Sequence, residues 1–376
     1  MSDQPMMFEE HRANNGRMLG FARLNAEGSL NALSQPMIDA LRTQLTAWER
    51  DPAIVCVVLE GGGTKAFCAG GDVISLYDSM RTHPGGPNPV AERFFETEYR
   101  LDYLIHTYPK PVLCWGHGII MGGGLGLMAG ASHRVVTEAS HIAMPEITIG
   151  LYPDIGATWF LNRMPGRVGL FLGLTGATMN AGDALYVDLA DYFISAKRRP
   201  ELDAALAEVN WSAEPERNRG HLARLLRGFA NASRSACPQS NVREHRNLID
   251  RVTDHYCLED LVTQLQRHGG TNEWLAGGVK ALLEGSPTSA RVIFEQYRRG
   301  RLLSLKEAFM RELVMSVQFT RQHDFAEGIR ARLIDRDCKP QWRPSSLAEV
   351  TDASVAVYFT SPHGFIPNPL EDLYAP

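Results

Sequence analysis

Two carboxylates, Glu146 and Asp154, stand in a stretch otherwise apolar and broken by proline and glycine: Met144-Pro145-Glu146-Ile147-Thr148-Ile149-Gly150-Leu151-Tyr152-Pro153-Asp154-Ile155-Gly156. Burial raises a carboxylate's pKa and suits it to acid–base work near neutral pH. The same residues could equally cap a helix or a turn, and composition does not choose between the two. A third acid, Glu98, falls on the apolar stripe Phe94, Leu101 and Ile105 of a helix predicted over about 91–105. A carboxylate on a buried face is costly unless it is paired or put to use. Glu98 is therefore either a boundary salt bridge, with Arg93 or Arg100 as a candidate partner, or part of a site.

Two glycine turns offer backbone amides. Phe67-Cys68-Ala69-Gly70-Gly71-Asp72 follows a predicted strand. Small residues there let another group approach the backbone, and free amides can point at an oxygen. The alternative is an ordinary strand-to-helix turn with Asp72 as the cap. The second turn is Gly122-Gly123-Gly124-Leu125-Gly126-Leu127-Met128-Ala129. Gly124, Gly126 and Ala129 satisfy GxGxxA, but a dinucleotide fingerprint follows its strand directly, and here residues 116–121 intervene. A glycine turn opening a helix fits better, because its first amides are unpaired and can stabilise an oxyanion. A tight contact between helices is the other reading.

Strands and helices must position these groups. Residues 17–24 read as a short strand. A helix follows, with Ser34 as cap, Pro36 in the first turn, and Met37, Leu41, Leu45 and Trp48 along one face. Ile54–Leu59 is a continuous run rich in β-branched residues, expected to be a buried parallel strand. Further strands are predicted at 111–115 and 134–136. The loop 83–89, with three prolines and two glycines, cannot continue a helix. Strands alternating with helices predict an α/β layered core. Beyond about residue 200 glycine thins out and helical periodicity takes over, at Leu248, Ile249 and Val252 and from Leu302 to Phe319. The predicted division is therefore 1–200 for the core and 201–376 for a mostly helical region. No repeat of fixed period is present. The segment Ser361–Pro376 reads as irregular chain lying across the surface or a neighbouring subunit.

Composition sets the outer bounds. The chain has 376 residues, 44% apolar, with 38 basic against 43 acidic side chains for a net charge of -5. That balance gives no case for binding nucleic acid or an anionic membrane. No apolar run approaches the ~20 residues that span a bilayer, and Met1–Glu10 has no basic segment followed by an apolar one, so no signal peptide is expected there. Six cysteines without CxxC spacing and twelve histidines without HExxH or HxH predict reduced thiols, a cytoplasmic setting and no metal site.

Taken together and in this order, the motifs resemble the enoyl-CoA hydratase/isomerase (crotonase) superfamily. The resemblance rests on Ala66-Phe67-Cys68-Ala69-Gly70-Gly71-Asp72, Met121-Gly122-Gly123-Gly124 and Met144-Pro145-Glu146. Leu174-Thr175-Gly176, Asn180-Ala181-Gly182-Asp183-Ala184 and Asp188-Leu189-Ala190 add to it. Within the superfamily the chain is most similar to the 3-hydroxyisobutyryl-CoA hydrolase group. Gly126 stands where typical hydratases carry their first catalytic glutamate. The run Gly150–Gly156 resembles a "GLFPDVG" segment of that group. Residues 321–337 are similar to its extended carboxyl-terminal part.

The resemblance implies a ClpP/crotonase-like α/β fold, a ββα spiral core with a helical C-terminal extension. It implies backbone amides of Gly71 and Gly123 holding a thioester oxygen, and Ala69 contacting the CoA adenine. Glu146 matches the catalytic glutamate, Asp154 the second acid and Glu98 a substrate-contacting glutamate. An acyl-CoA substrate, no cofactor beyond the CoA it carries, and a homo-oligomer are implied too. The implied reaction is thioester hydrolysis in valine catabolism. An enoyl-CoA hydratase or isomerase, or a non-catalytic interaction protein of the same fold, are the alternatives. The chain departs from the family at His117, where Asn is usual, and at Ala157-Thr158-Trp159, which replaces a glycine-richer stretch. Both bear on the acyl pocket.

Overall fold

The computed structural model describes residues 4–362 and 367–374. Among the described residues nine strands run in chain order: β1 (Met6–Arg12), β2 (Met18–Leu24), β3 (Ile54–Gly61), β4 (Ala66–Cys68), β5 (Val112–Gly116), β6 (Ile119–Met121), β7 (His133–Val136), β8 (His141–Ala143) and β9 (Tyr192–Phe193). They form a six-stranded sheet, β1-β2-β3-β5-β7-β9, and a three-stranded one, β4-β6-β8. β1 and β2 are antiparallel, whereas β2, β3, β5, β7 and β9 pair in parallel. From β3 onward the chain repeats one cycle. A longer strand joins the first sheet, a short strand joins the second, and a helical segment returns the chain. Successive long strands become neighbours, as do successive short ones, and a ββα spiral results.

The predicted buried strand is β3, all eight of whose residues are buried. Its side chains are covered on both faces, as a continuous β-branched run requires. Leu222 and Leu226, from the helix Pro215–Ser233, close one cluster over Val58, Leu113, Trp115 and Val135. The helix Gln35–Arg50 buries Met37, Leu41, Leu45 and Trp48 as the spacing predicts. Ser34 does precede it, but its side chain makes no capping bond. Pro36 lacks one of the amides such a cap would accept from.

The chain divides into two compact units that do not follow the expected boundary at residue 200. One comprises 1–71, 101–142 and 179–243, and the other 72–100, 143–178 and 244–376. The change of texture near 200 marks where strands stop. Compactness is set by packing, and the helix Pro215–Ser233 packs on the sheet of the first unit. In the second unit the helix Leu305–Thr320 is the centre, buried over most of its length and started by a capping box of Ser304 and Glu307. Leu302, expected to belong to its apolar face, lies before the helix and is exposed. Part of the final segment, 368–373, lies along the second unit, where Leu370 is buried, Asn368 donates to the Met310 carbonyl and Asp372 pairs with Arg100. Residues 363–366, 375 and 376 of that segment, and 1–3 at the other end, lie outside the described residues.

The chain after β8 is held to the helix His323–Ile329. A Cβ added at Gly328 would meet the Ile149 carbonyl carbon at 2.2 Å, so only glycine allows this approach. Gly328→Ala must push the segment 146–150 off the helix. Overpacking of this kind costs about 1–3 kcal/mol, and a urea-denaturation midpoint lowered to match is the expected result.

Candidate active site

The three acids singled out from the sequence are brought together in the second unit. Glu146 opens a 3-10 turn, Glu146–Ile149, directly after Pro145. Asp154 follows eight residues on, after Tyr152 and Pro153. Glu98 comes from the inner face of the helix Pro89–His106. Their relative exposures are 4% for Glu146, 5% for Asp154 and 2% for Glu98. Oε2 of Glu146 and Oε1 of Glu98 are buried without a hydrogen-bond partner. The salt-bridge reading of Glu98 is corrected for Arg100, which pairs with Glu96 at 3.0 Å and with Asp372 at 2.8 Å. Those partners lie on the outer side of the helix, whereas Glu98 faces inward.

Electrostatics separates the three. Burial, and then the charge of Asp154, holds the carboxyls of Glu98 and Glu146 well above the usual carboxylate range. Burial also pushes Asp154 up, to about 6, against the hydrogen bond it receives from Tyr99. Asp154 is thus the member best stabilised as an anion. Acids in such contact titrate as a group, and each proton lost raises the cost of losing the next. At neutral pH the cluster can hold a base and an acid side by side, which is what proton transfer to and from one reacting centre needs.

Side chains that sequence reasoning missed complete the arrangement. Tyr99 donates to Asp154 Oδ2 at 2.6 Å and contacts Ser316 Oγ at 2.6 Å. Ser316 also contacts the Tyr152 hydroxyl at 2.8 Å, and Tyr152 donates to the Glu312 carbonyl at 2.7 Å. Both tyrosine protons are committed, so Ser316 is the donor in its two contacts, to one tyrosine at a time. Tyr99 and Tyr152 adjoin the predicted acids in sequence. Ser316 and Glu312 were detectable by the signal that exposed Glu98, a polar residue within the apolar run of a helix.

The two glycine turns lie in the first unit. Gly70 has φ +118°, open to glycine and strained for other residues, and its Cα side faces the Met121 carbonyl and Gly122. This approach brings together the two turns that carry Gly71 and Gly123. Gly123 is the first residue of the helix Gly123–Gly130, so its amide has no partner within the helix. Among the described turn and loop hydrogen bonds neither amide is a donor. Asp72 does cap the following helix, accepting from the Ser75 amide, and this capping does not occupy the Gly71 amide. The Ala69 amide donates to the Leu30 carbonyl at 3.1 Å, and its own carbonyl accepts in none of the described turn and loop hydrogen bonds. His117 meets the Gly63 carbonyl at 3.1 Å and lines a cleft of about 490 Å³ with Arg23, Glu60 and Arg199. Among the described residues no group of three His, Cys, Asp or Glu could hold a metal ion, and no helix is long and apolar enough to cross a membrane.

A spiral of ββα cycles, with a glycine turn after β4, another after β6 and a buried acid after β8, defines a class. Residues 19–359 match the enoyl-CoA hydratase/isomerase family, and the chain belongs to that family. Among its relatives is the mitochondrial 3-hydroxyisobutyryl-CoA hydrolase of Gallus gallus, 36% identical over 89% of this chain and 85% of the relative. The protein of the same name from Danio rerio is 36% identical over 91% of this chain and 87% of its own. A crystal structure of a carnitinyl-CoA dehydratase from Mycobacterium thermoresistibile is similar over 96% of this chain and 98% of that one, with 32% identity and a TM-score of 0.81. The fold is therefore the crotonase fold with a helical C-terminal extension.

The Tyr99 hydrogen bond favours the ionised form of Asp154. Tyr99→Phe removes it, so Asp154 ionises only at higher pH. The titration of the Asp154 carboxyl is expected to move upward by about one pH unit, read from carbon NMR of aspartate-labelled wild-type and variant protein.

Proposed function

We propose that this protein hydrolyses the thioester of 3-hydroxyisobutyryl-CoA, releasing 3-hydroxyisobutyrate and CoA, and so acts in valine catabolism. The observation that carries the reading is the buried acid trio, in which Glu146 keeps an oxygen without a partner. The names of the relatives support the substrate.

Hydrolysis builds negative charge on the thioester oxygen. The amides of Gly71 and Gly123 receive that charge, each such donor being worth about 3–4 kcal/mol of barrier. Glu146, ionised, takes a proton from water as the water oxygen bonds to the carbonyl carbon. The tetrahedral adduct collapses, the C–S bond breaks, and the proton passes to the departing sulfur. Asp154 orients the 3-hydroxyl or assists that transfer, and Glu98 holds the hydroxyl or the water. Direct attack of Glu146, through an anhydride that water then opens, uses the same residues. Single turnover in ¹⁸O-labelled water separates the routes, since label enters Glu146 only through the anhydride. Ala69 contacts the CoA adenine through its carbonyl. No cofactor beyond the substrate's own CoA is required.

A second reading, hydration of an enoyl-CoA, draws on the similar crystal structure being that of a carnitinyl-CoA dehydratase. Gly126 speaks against it, since it stands where typical hydratases carry an acid. For the setting, the proposal keeps a cytoplasmic homo-oligomer. The Gallus gallus and Danio rerio relatives are mitochondrial by name, so cell fractionation and light scattering are the respective checks.

The protein is expected to release free CoA thiol from 3-hydroxyisobutyryl-CoA and none from crotonyl-CoA. Glu146→Gln should lose at least ~100-fold in kcat with little change in CoA affinity. Near-normal thiol release by that variant would remove Glu146 from the reaction.

A further inference from the structure

We propose that Glu312 is a positioning residue that fixes Asp154 from both sides; the proposal rests on the role assigned to Asp154 above. Glu312 is fully buried, with 0% exposure, on the helix Leu305–Thr320. Its two carboxylate oxygens accept two different amides, Oε2 from Gly156 and Oε1 from Thr158, each at 2.7 Å. These amides lie two and four residues after Asp154, so the clamp closes on the turn that presents it.

That turn needs an external hold. Ile155 has φ +57° and Gly156 φ +87°. A β-branched residue in the left-handed region is a genuine outlier, since its Cβ crowds the backbone. Such a conformation persists where surrounding contacts over-determine it. Here the contacts are the two Glu312 bonds, together with Gln296, which donates to the Pro153 carbonyl at 2.7 Å and to Thr158 Oγ1 at 2.8 Å. If the turn relaxed to an ordinary φ at Ile155, the Asp154 carboxylate would swing with it.

The second hold runs through the backbone of the same residue. The Glu312 carbonyl accepts from Tyr152, which meets Ser316, which meets Tyr99, which donates to Asp154. Side chain and carbonyl of Glu312 thus fix the turn after Asp154 and the hydroxyl chain that ends on its carboxylate. The residue takes no part in any contact with the acyl-CoA on this account. Misplacing a reacting group by about an ångström can cost ~100-fold in rate, and Glu312 acts on that scale through Asp154 alone.

A double-mutant cycle tests this. Glu312→Gln keeps one acceptor oxygen but sets an NH2 group against the second amide. The expected result is a fall of ~10- to ~100-fold in kcat, with KM changed less than about threefold. In an Asp154→Asn background the same substitution should cost no further kcat, because residues acting through one group are not additive. A residue that only supports the core would lower kcat by the same factor in both backgrounds, and that result overturns the proposal. Full activity of Asp154→Asn alone would overturn the role of Asp154, and the clamp with it. Should Glu312→Gln fail to fold, Tyr152→Phe breaks only the second hold. Its kcat should fall several-fold in the wild-type background and not at all with Asp154→Asn, and unchanged kcat in folded Tyr152→Phe would also overturn the proposal.

Discussion

Three carboxylates buried together, with their neighbouring acid rather than a cation as the charge they feel, are the constraint on which the rest of the second unit depends. Desolvation alone makes such an arrangement unfavourable, and mutual repulsion adds to it. The molecule answers with neutral donors. A tyrosine hydroxyl supplies Asp154 with a proton to lean on without supplying a positive charge. An arginine in its place would draw all the acids towards full ionisation, and the difference between a base and an acid in one site would be lost.

The same economy of charge runs through the supporting residues. Glu312 is held by two amides, and burial pushes its carboxyl up to about 8. Arg100, on the helix that carries Glu98 and Tyr99, spends its charge on Glu96 and Asp372. The segment bearing Glu146 has little regular structure of its own. It is set by close approaches, such as Gly328 on Ile149, and by the turn that Glu312 clamps. The glycine turns of the first unit follow a different logic. There a strand end and a helix start each leave an amide that donates in none of the described turn and loop hydrogen bonds, and Gly70 lets the two turns approach.

Much of this was legible in the chain. Ile54–Leu59 reads as a doubly buried strand because β-branched residues run without alternation. Glu98 betrays itself by occupying an apolar stripe, and Glu146 and Asp154 by interrupting an apolar segment. Among thirty-four glycines, residue chemistry alone singles out no amide pair, and the proposal of Gly71 and Gly123 rests on the family resemblance. Other features were hidden for physical reasons. β1 is an edge strand with an exposed outer end, so alternation is weak. Ser316 and Glu312 stand out as polar residues in an apolar helix run, but their partners Tyr99, Tyr152 and Gly156 lie more than 150 residues away, a distance over which no local pattern speaks. The division into units follows packing, and the texture of the sequence follows secondary structure; the two part company at residues 201–243.

Burial keeps a proton on the pair Glu98 and Glu146 when an exposed glutamate has lost its own, so that one of the two is an acid while the other serves as base. Infrared difference spectroscopy of the protonated-carboxyl band tests it at pH 6, well above the pKa of ~4.3 for a free glutamate. Wild-type protein is expected to retain band intensity that disappears in Glu98→Gln, in Glu146→Gln, or in part in each. Loss of no intensity in either variant would mean that both glutamates are ionised at that pH, and would contradict it.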